Sequence, residues 1–281
     1  MSFARKQSGP MIGLALSGGF ARGIAHIGVL KVLDEENIPI SFVAGSSVGA
    51  FIGAIYCAGA SAREIEQIAG NVRRRHFARL AISRFGLFSN HRMIKFLNKI
   101  LKVKTFEELE IPLAITATEI SNGAGVVFRS GPLAEAVRAS CAYPGVFPPV
   151  DIDGRMLVDG GLAYPVPVQP VSEMGSERII AVHLRKRSGL GGPRNLLDIV
   201  AKSFAIAQQR SGFLWQSISD LIVEPEIRQF RYDDFDRTAE LVRAGETAMR
   251  AALPTLIHWF EKKQNPEMAE AFTQGYVPGV L

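Results

Sequence analysis

The sequence predicts an α/β protein in which helices pack on a mostly parallel central sheet. Short apolar runs, typical of buried parallel strands, alternate along the chain with stretches that have apolar residues at helical spacing. The 281 residues are enough to bury one large core. The most glycine-rich connection, 185–195, has only the length of a loop. We therefore expect a single domain over 1–281, with its core motifs within 11–185 and a helical C-terminal part at 195–265.

The predicted elements follow in chain order. The unbroken apolar run at 12–16 predicts a strand, and the helical spacing at 22–36 predicts the first helix. The later elements are a strand at 41–45, a helix at 48–59, strands at 113–120 and 125–129, a helix at 132–142, strands ending at 159 and spanning 178–184, and helical stretches at 195–219 and 236–262. Such alternation predicts active groups at the carboxyl ends of the strands.

Composition indicates a cytoplasmic protein that can sit peripherally on a membrane. The apolar residues 11–16 form too short a run for a signal peptide. The longest uncharged apolar run, 48–60, is too short to cross a bilayer. Cys57 and Cys141 are not part of a CxxC pair, so we expect reduced, buried thiols.

Positive charge is concentrated in one segment. The net charge is +5, but residues 61–104 hold eleven basic and two acidic side chains, or +9, whereas the remaining 21 basic and 25 acidic residues sum to −4. Within this segment, 91–104 is basic and amphipathic. It predicts either contact with an anionic bilayer through residues 73–104 or a surface helix packed on the core. We expect no nucleic-acid partner, because no recognition motif accompanies the basic run.

A serine between glycines follows the second predicted strand. Gly45, Ser47 and Gly49 form GxSxG between a strand and a helix, the context of a nucleophile elbow, although a plain tight turn is the alternative. The loop SGGFARG, 17–23, follows the first strand, so its amides would face the same sheet edge. It matches neither GxGxxG nor a P-loop, which disfavours nucleotide binding.

The residues alone do not identify the general base that would activate this serine. The chain has five histidines: His26, His76, His91, His183 and His258. A Ser-Asp-His triad could use Asp159 with His183 or His258, but its nucleophile normally follows more than two strands. The run RMLVDGG, 155–161, instead ends a strand in an aspartate before two glycines, a turn that could hold a carboxylate at the sheet edge or serve structure alone.

These motifs in this order, together with RASCAYPGVFPPV at 138–150, resemble the patatin-like phospholipase family, especially its short stand-alone bacterial forms of the RssA type. The resemblance implies a three-layer α/β/α fold and hydrolysis of fatty acyl esters in phospholipids or lysophospholipids by a Ser-Asp dyad, without metal or cofactor. It implies Ser47 as nucleophile, Asp159 as base and the amides of Gly18, Gly19 and Phe20 as the oxyanion hole. The supporting motif positions are Arg22, Gly23, Gly45, Gly49, Gly160 and Gly161.

Phe20 departs from the family pattern, which usually has a third glycine there. Its β-carbon restricts φ, so either the loop keeps φ below zero at Phe20 or activity is weakened.

The sequence leaves two alternatives to the hydrolase open. One is a lipid-binding or regulatory protein with weak catalysis, and the other is an acyl-thioesterase or acyltransferase that uses the same dyad. Arg22 fits a brace for the loop better than a substrate contact.

Overall fold

A computed structural model describes residues 9–71, 79–83, 85–185, 192, 196–210 and 212–264. The strands are β1 (Ile12–Leu16), β2 (Phe42–Ser46), β3 (Arg79–Ser83), β4 (Gly86–Ser89), β5 (Leu113–Glu119), β6 (Gly125–Phe128), β7 (Val150–Ile152), β8 (Arg155–Asp159), β9 (Arg178–Val182) and β10 (Leu221–Val223). The α-helices are α1 (Ala25–Glu35), α2 (Val48–Cys57), α3 (Ala62–Asn71), α4 (His91–Ile100), α5 (Leu133–Ser140), α6 (Val168–Ser172), α7 (Leu196–Arg210), α8 (Gly212–Ile218) and α9 (Thr238–Gln264). Short 3-10 helices cover Phe20–Ile24 and Phe106–Glu108.

The central sheet is parallel over five strands and antiparallel at one edge. Its order is β10-β9-β1-β2-β5-β8-β7, and β6 also pairs with β5. The pairings from β10 to β5 are parallel, whereas β8, β7 and β6 join in antiparallel orientation. The expected mostly parallel sheet is confirmed, with an antiparallel edge that carries the predicted DGG turn.

Alternation along the strands builds a core on each face of the sheet. Leu14 and Leu16 belong to a large cluster with the helices α1, α2, α5 and α9. Ala15, between them, belongs to a second cluster with residues of α6 and α8. Because side chains of successive strand residues point to opposite faces, these two clusters define three layers. The α/β/α arrangement is confirmed.

The basic segment contributes structure that its pattern did not predict. The chain forms helix α3 and a β3–β4 hairpin there, besides the amphipathic helix α4. Met93 and Leu97 of α4 are buried in the large cluster, so the apolar side of this helix faces the core. Among the described residues, none of the helices is both long and apolar enough to span a membrane.

Candidate active site

Ser47 stands in the turn between β2 and α2 with a strained backbone. Its φ is 56° and its ψ is −124°, a left-handed conformation that is uncommon for a residue with a β-carbon. The two glycines of the motif make this turn sterically feasible. A Cβ at Gly49 would lie 2.2 Å from the carbonyl oxygen of Leu16, and one at Gly45 would lie 2.5 Å from the Cα of Ala50.

The two adjacent serines have different surroundings. The Ser46 side chain is fully buried, and its hydroxyl is bonded to Thr116 Oγ1 at 2.6 Å and donates to the carbonyl of Tyr164 at 2.7 Å. Ser47 is half-buried at the start of α2. The hydroxyl of Ser46 is therefore committed to the structure beneath the turn, and Ser47 is the serine that an incoming molecule can reach.

Asp159 lies at the end of β8, across β5 from the serine turn. In register, Ser46 of β2 pairs with Thr116 of β5, and Asp159 pairs with the next residue, Ala117. At about 4.8 Å between neighbouring strands, the backbones of β2 and β8 are about 10 Å apart. Paired residues of antiparallel strands point to the same face of the sheet, so the Asp159 side chain lies on the face of Ala117. Ala117 packs against α5 on that face, and α5 contacts α2. The Asp159 side chain therefore lies in the same layer as α2.

The DGG turn is closely held around the carboxylate. Asp159 is 2% exposed, and its Oδ1 accepts a hydrogen bond from the Gly161 amide at 2.8 Å. Its carbonyl accepts a hydrogen bond from Thr118 Oγ1 at 3.0 Å. A Cβ at Gly160 would lie 2.2 Å from the carbonyl oxygen of Thr116. The turn therefore fixes the orientation of the carboxylate against β5.

Ser140 connects the serine turn to the DGG turn, a role that we did not predict for this residue. Its buried hydroxyl accepts a hydrogen bond from the Ser47 amide at 2.8 Å, and its carbonyl accepts one from the Gly160 amide at 3.2 Å. The next residue, half-buried Cys141, has a free thiol near the Ser47 side chain. Burial first, and then the charge of Asp159, raises the pKa of that thiol. The only sequence signal for this support was the RASCAYPG stretch within the family resemblance.

The glycine loop lies beside the serine. A Cβ at Gly18 would be 3.2 Å from the Cβ of Ser47. Backbone amides on both sides of the loop are occupied, since Ser17 N–H donates to Val182 and Ala21 N–H donates to Tyr232. Within the part of the chain that the structure describes, the three amides between them, at Gly18, Gly19 and Phe20, have no protein acceptor. The loop therefore presents consecutive open donors.

Phe20 adopts a φ of 53°, so the expected alternative of a negative φ is wrong. The backbone keeps a conformation that suits glycine, and the ring is held by aromatic neighbours. Its centroid is 4.7 Å from that of Tyr143 and 6.0 Å from that of Tyr232, both in edge-to-face geometry. This packing offsets the strain, which is of the order of 1–2 kcal/mol for a residue with a β-carbon.

Arg22 and Gly23 follow in the same short helix. Arg22 is 8% exposed, and burial lowers the pKa of its guanidinium. A Cβ at Gly23 would lie 2.3 Å from a methyl carbon of Val48, the residue after Ser47. The glycine loop and the start of α2 are thus in close contact. The role of Arg22 as a brace for the loop stays a prediction.

The described histidines contact groups other than Ser47. His26 is fully buried and donates from Nε2 to the carbonyl of Ser17 at 2.8 Å, and burial lowers its pKa to about 4. His183 Nδ1 lies 2.7 Å from Glu224, and His258 Nδ1 lies 3.8 Å from Glu261. His91 begins α4, and His76 lies outside the described residues. Within those residues, no group of three or more His, Cys, Asp or Glu side chains could hold a metal ion.

Comparison with known proteins agrees with this architecture. The family model for patatin-like phospholipase matches residues 14–172. An uncharacterized NTE family protein of Mycobacterium tuberculosis is 39% identical over 183 residues, covering 64% of this chain and 51% of that protein. Lysophospholipase NTE1 of Cryptococcus neoformans is 35% identical over 190 residues, covering 64% of this chain and 11% of that protein.

A human relative and a solved structure extend the comparison. Patatin-like phospholipase domain-containing protein 6 of Homo sapiens is 34% identical over 192 residues, covering 64% of this chain and 14% of that protein. This chain thus spans about half the length of the mycobacterial relative and much less of the two eukaryotic ones. The fold resembles the crystal structure of VipD from Legionella pneumophila, with a TM-score of 0.56, 14% identity and coverage of 88% of this chain and 67% of VipD. The chain belongs to the patatin-like phospholipase family.

Proposed function

We propose that the protein is a serine acyl-ester hydrolase of the phospholipase A or lysophospholipase type, which releases fatty acids from lipids. The observation that carries this proposal is the joint support of two turns by Ser140, which binds the amides of Ser47 and Gly160. One residue thereby holds both the turn of Ser47 and the turn that carries the buried Asp159 carboxylate. Membership of a phospholipase family and the name of the fungal relative support a lipid ester as substrate.

In this proposal Asp159 is the general base. The Ser47 oxygen attacks the acyl carbonyl carbon while its proton passes to the carboxylate of Asp159. The tetrahedral intermediate then expels the alcohol, which takes that proton, and leaves the acyl group on Ser47. Asp159 next accepts a proton from water, whose oxygen attacks the acyl carbonyl carbon. The bond from that carbon to the Ser47 oxygen then breaks, Asp159 returns the proton to this oxygen, and the fatty acid is released.

The amides of Gly18, Gly19 and Phe20 form the proposed oxyanion hole. A carboxylate is a weak base for a hydroxyl, so stabilisation of the oxyanion must supply much of the barrier reduction. One such donor typically contributes about 2.7–4 kcal/mol. Their open hydrogen-bonding capacity, and the 3.2 Å approach of a Gly18 Cβ position to Ser47, support this assignment.

Contact of residues 73–104 with an anionic membrane is part of the proposal. An open cleft of about 890 Å³ lies between α3 and α4, and Ile68, Phe96 and Ile100 line it together with Lys95 and Lys99. Cations beside apolar side chains suit an anionic lipid surface. Because the most apolar side of α4 faces the core, the lysines would carry this contact.

A lipid panel tests the proposal directly. We expect the protein to release fatty acid from lysophosphatidylcholine or phosphatidylglycerol vesicles, measured by mass spectrometry of the products. The same panel includes acyl-coenzyme A thioesters, which test the alternative of an acyl-thioesterase. Faster turnover of thioesters than of every oxygen ester would assign a thioesterase. A folded protein that releases acyl groups from none of these compounds would contradict the hydrolase.

Ser140→Ala is expected to lower kcat about 10- to 100-fold and to change KM less than about threefold. The substitution removes the acceptor of the Ser47 amide, so the strained turn can relax away from the reactive geometry. Ester hydrolysis by purified variants measures this effect. Ser140→Cys keeps the size of the side chain but provides a weaker acceptor, so its kcat should lie between those of the wild type and Ser140→Ala. An unchanged kcat in folded Ser140→Ala would remove this positioning role.

Phe20→Gly distinguishes a working oxyanion hole from a damaged one. Because the backbone already has a glycine-like φ, we expect kcat to stay within about threefold of the wild type. The Tm should fall, since the ring leaves its contacts with Tyr143 and Tyr232. Phe20→Ala is the matched control, because it loses the same ring and retains the strain. A rise in kcat above tenfold for the glycine variant alone would favour the weakly catalytic lipid-binding protein.

A further inference from the structure

Helix α7 packs on the candidate active site with one of its faces. Gln208 Nε2 donates to the carbonyl of Gly161, in the DGG turn, at 2.7 Å. Phe204 is 6% exposed, and its ring centroid lies 4.6 Å from that of Tyr143. A Cβ at Gly145 would lie 3.7 Å from Val200. Positions 200, 204 and 208 share one side of the helix, which therefore rests on the turn that carries Asp159.

The other side of α7, and the following helix α8, expose large apolar side chains. Ile199 and Ile206 are 48% and 57% exposed, and their spacing of seven residues places them on one side of α7. Leu214 and Ile218 of α8 are 71% and 43% exposed. Scattered single apolar residues are ordinary on a protein surface, but here two pairs lie on consecutive helices, the first of which packs on the site.

The exposed charge that the structure describes on these two helices is cationic. Among the side chains of α7 and α8 that the structure describes, Lys202 is the only exposed charged one. Asp198, the acidic residue in the first turn of α7, is half-buried. An apolar surface with a cation suits a phospholipid bilayer, where isoleucine and leucine enter the acyl boundary and lysine reaches the phosphates.

We propose that the surface formed by Ile199, Ile206, Leu214 and Ile218 docks onto a phospholipid bilayer and sets the active site against the membrane that holds the substrate. This inference rests on the proposed function for its choice of partner, since a lipid hydrolase must meet its substrate in a bilayer. It differs from the contact through 73–104, which is electrostatic. Apolar docking persists at high salt, whereas charge-based binding of exposed lysines is screened.

The test measures vesicle binding by flotation in the Ser47→Ala background, so that vesicles stay intact. The vesicles contain equal parts phosphatidylcholine and phosphatidylglycerol, and binding is compared in 0.1 M and 0.5 M NaCl. We expect I199S/I206S to bind about tenfold more weakly than its parent at both salt concentrations, because it removes two apolar side chains from the lipid contact. Binding of the parent should persist in 0.5 M NaCl.

Ile257→Ser is the matched control, since Ile257 is 49% exposed on α9, away from the site contacts described above. It should bind vesicles like the parent. Equal binding of I199S/I206S, or loss of parent binding in 0.5 M NaCl, would overturn the proposal. A parent oligomer that dissociates in I199S/I206S without vesicles would assign this surface to self-association instead. Because the assay needs no turnover, failure of the hydrolase proposal in the lipid panel is a separate result.

Discussion

Ser47→Ala is expected to reduce hydrolysis of p-nitrophenyl esters by at least about 10⁴-fold, because the variant lacks the oxygen that forms the acyl-enzyme. A fluorophosphonate probe should label the wild type at Ser47 and leave the variant unlabelled, which mass spectrometry of the digested protein can detect. The strained turn should persist, since the Ser47 amide still donates to Ser140. Binding of lipid to the inactive variant should therefore be retained.

Ser46→Ala is the control for this experiment. Its hydroxyl is bonded to Thr116 and Tyr164 beneath the turn, so its loss should lower the free energy of unfolding by about 1–3 kcal/mol. Labelling at Ser47 should continue. Loss of labelling in Ser46→Ala with retention in Ser47→Ala would show that Ser47 is not the nucleophile. A folded wild type that the probe never modifies would show the same.

Asp159→Asn is expected to lower kcat by about 10³- to 10⁴-fold while the protein stays folded. The amide has nearly the shape of the carboxylate and can still accept the hydrogen bond from Gly161, but it cannot take a proton from Ser47. Thermal unfolding and steady-state kinetics of the same preparation measure the two effects. The loss should appear in kcat more than in KM, because the change acts on the reacting groups.

Asp151→Asn is a matched control at another turn. Asp151 Oδ1 accepts a hydrogen bond from the Gly154 amide at 3.1 Å, and its side chain is exposed on β7. This substitution should leave kcat unchanged. Full activity of Asp159→Asn would instead revive a histidine base, and His183→Ala would then be the variant to measure.

The elements that could be predicted are those whose pattern is long and unambiguous. The strand at β1 and the helices at α2 and α5 were each predicted to within a few residues. The three-residue strands β7 and β10 were not predicted, because so short a segment shows no periodicity. The β3–β4 hairpin was also missed, since it lies within a run of basic residues that we interpreted by its charge.

The candidate site was predictable where a motif marks a backbone turn. GxSxG and DGG drew attention to Ser47 and Asp159 because glycines around a reactive side chain indicate a close approach. The part played by Ser140 was not predictable, since it depends on how α5 packs between two turns far apart in the sequence. The positive φ of Phe20 needed coordinates as well, because a residue type restricts a dihedral angle without fixing it.

The pairing of β8 with β5 makes the proposed chemistry depend on strand alignment. Asp159 pairs with Ala117, whereas the neighbouring Thr116 directs its side chain to the opposite face, where it meets Ser46. A slip of β8 by a single residue would turn the carboxylate toward that face and away from α2. The proposed Ser47–Asp159 pair therefore requires one alignment of the antiparallel edge. We expect any change that loosens this edge to move the carboxylate away from the serine without altering either residue.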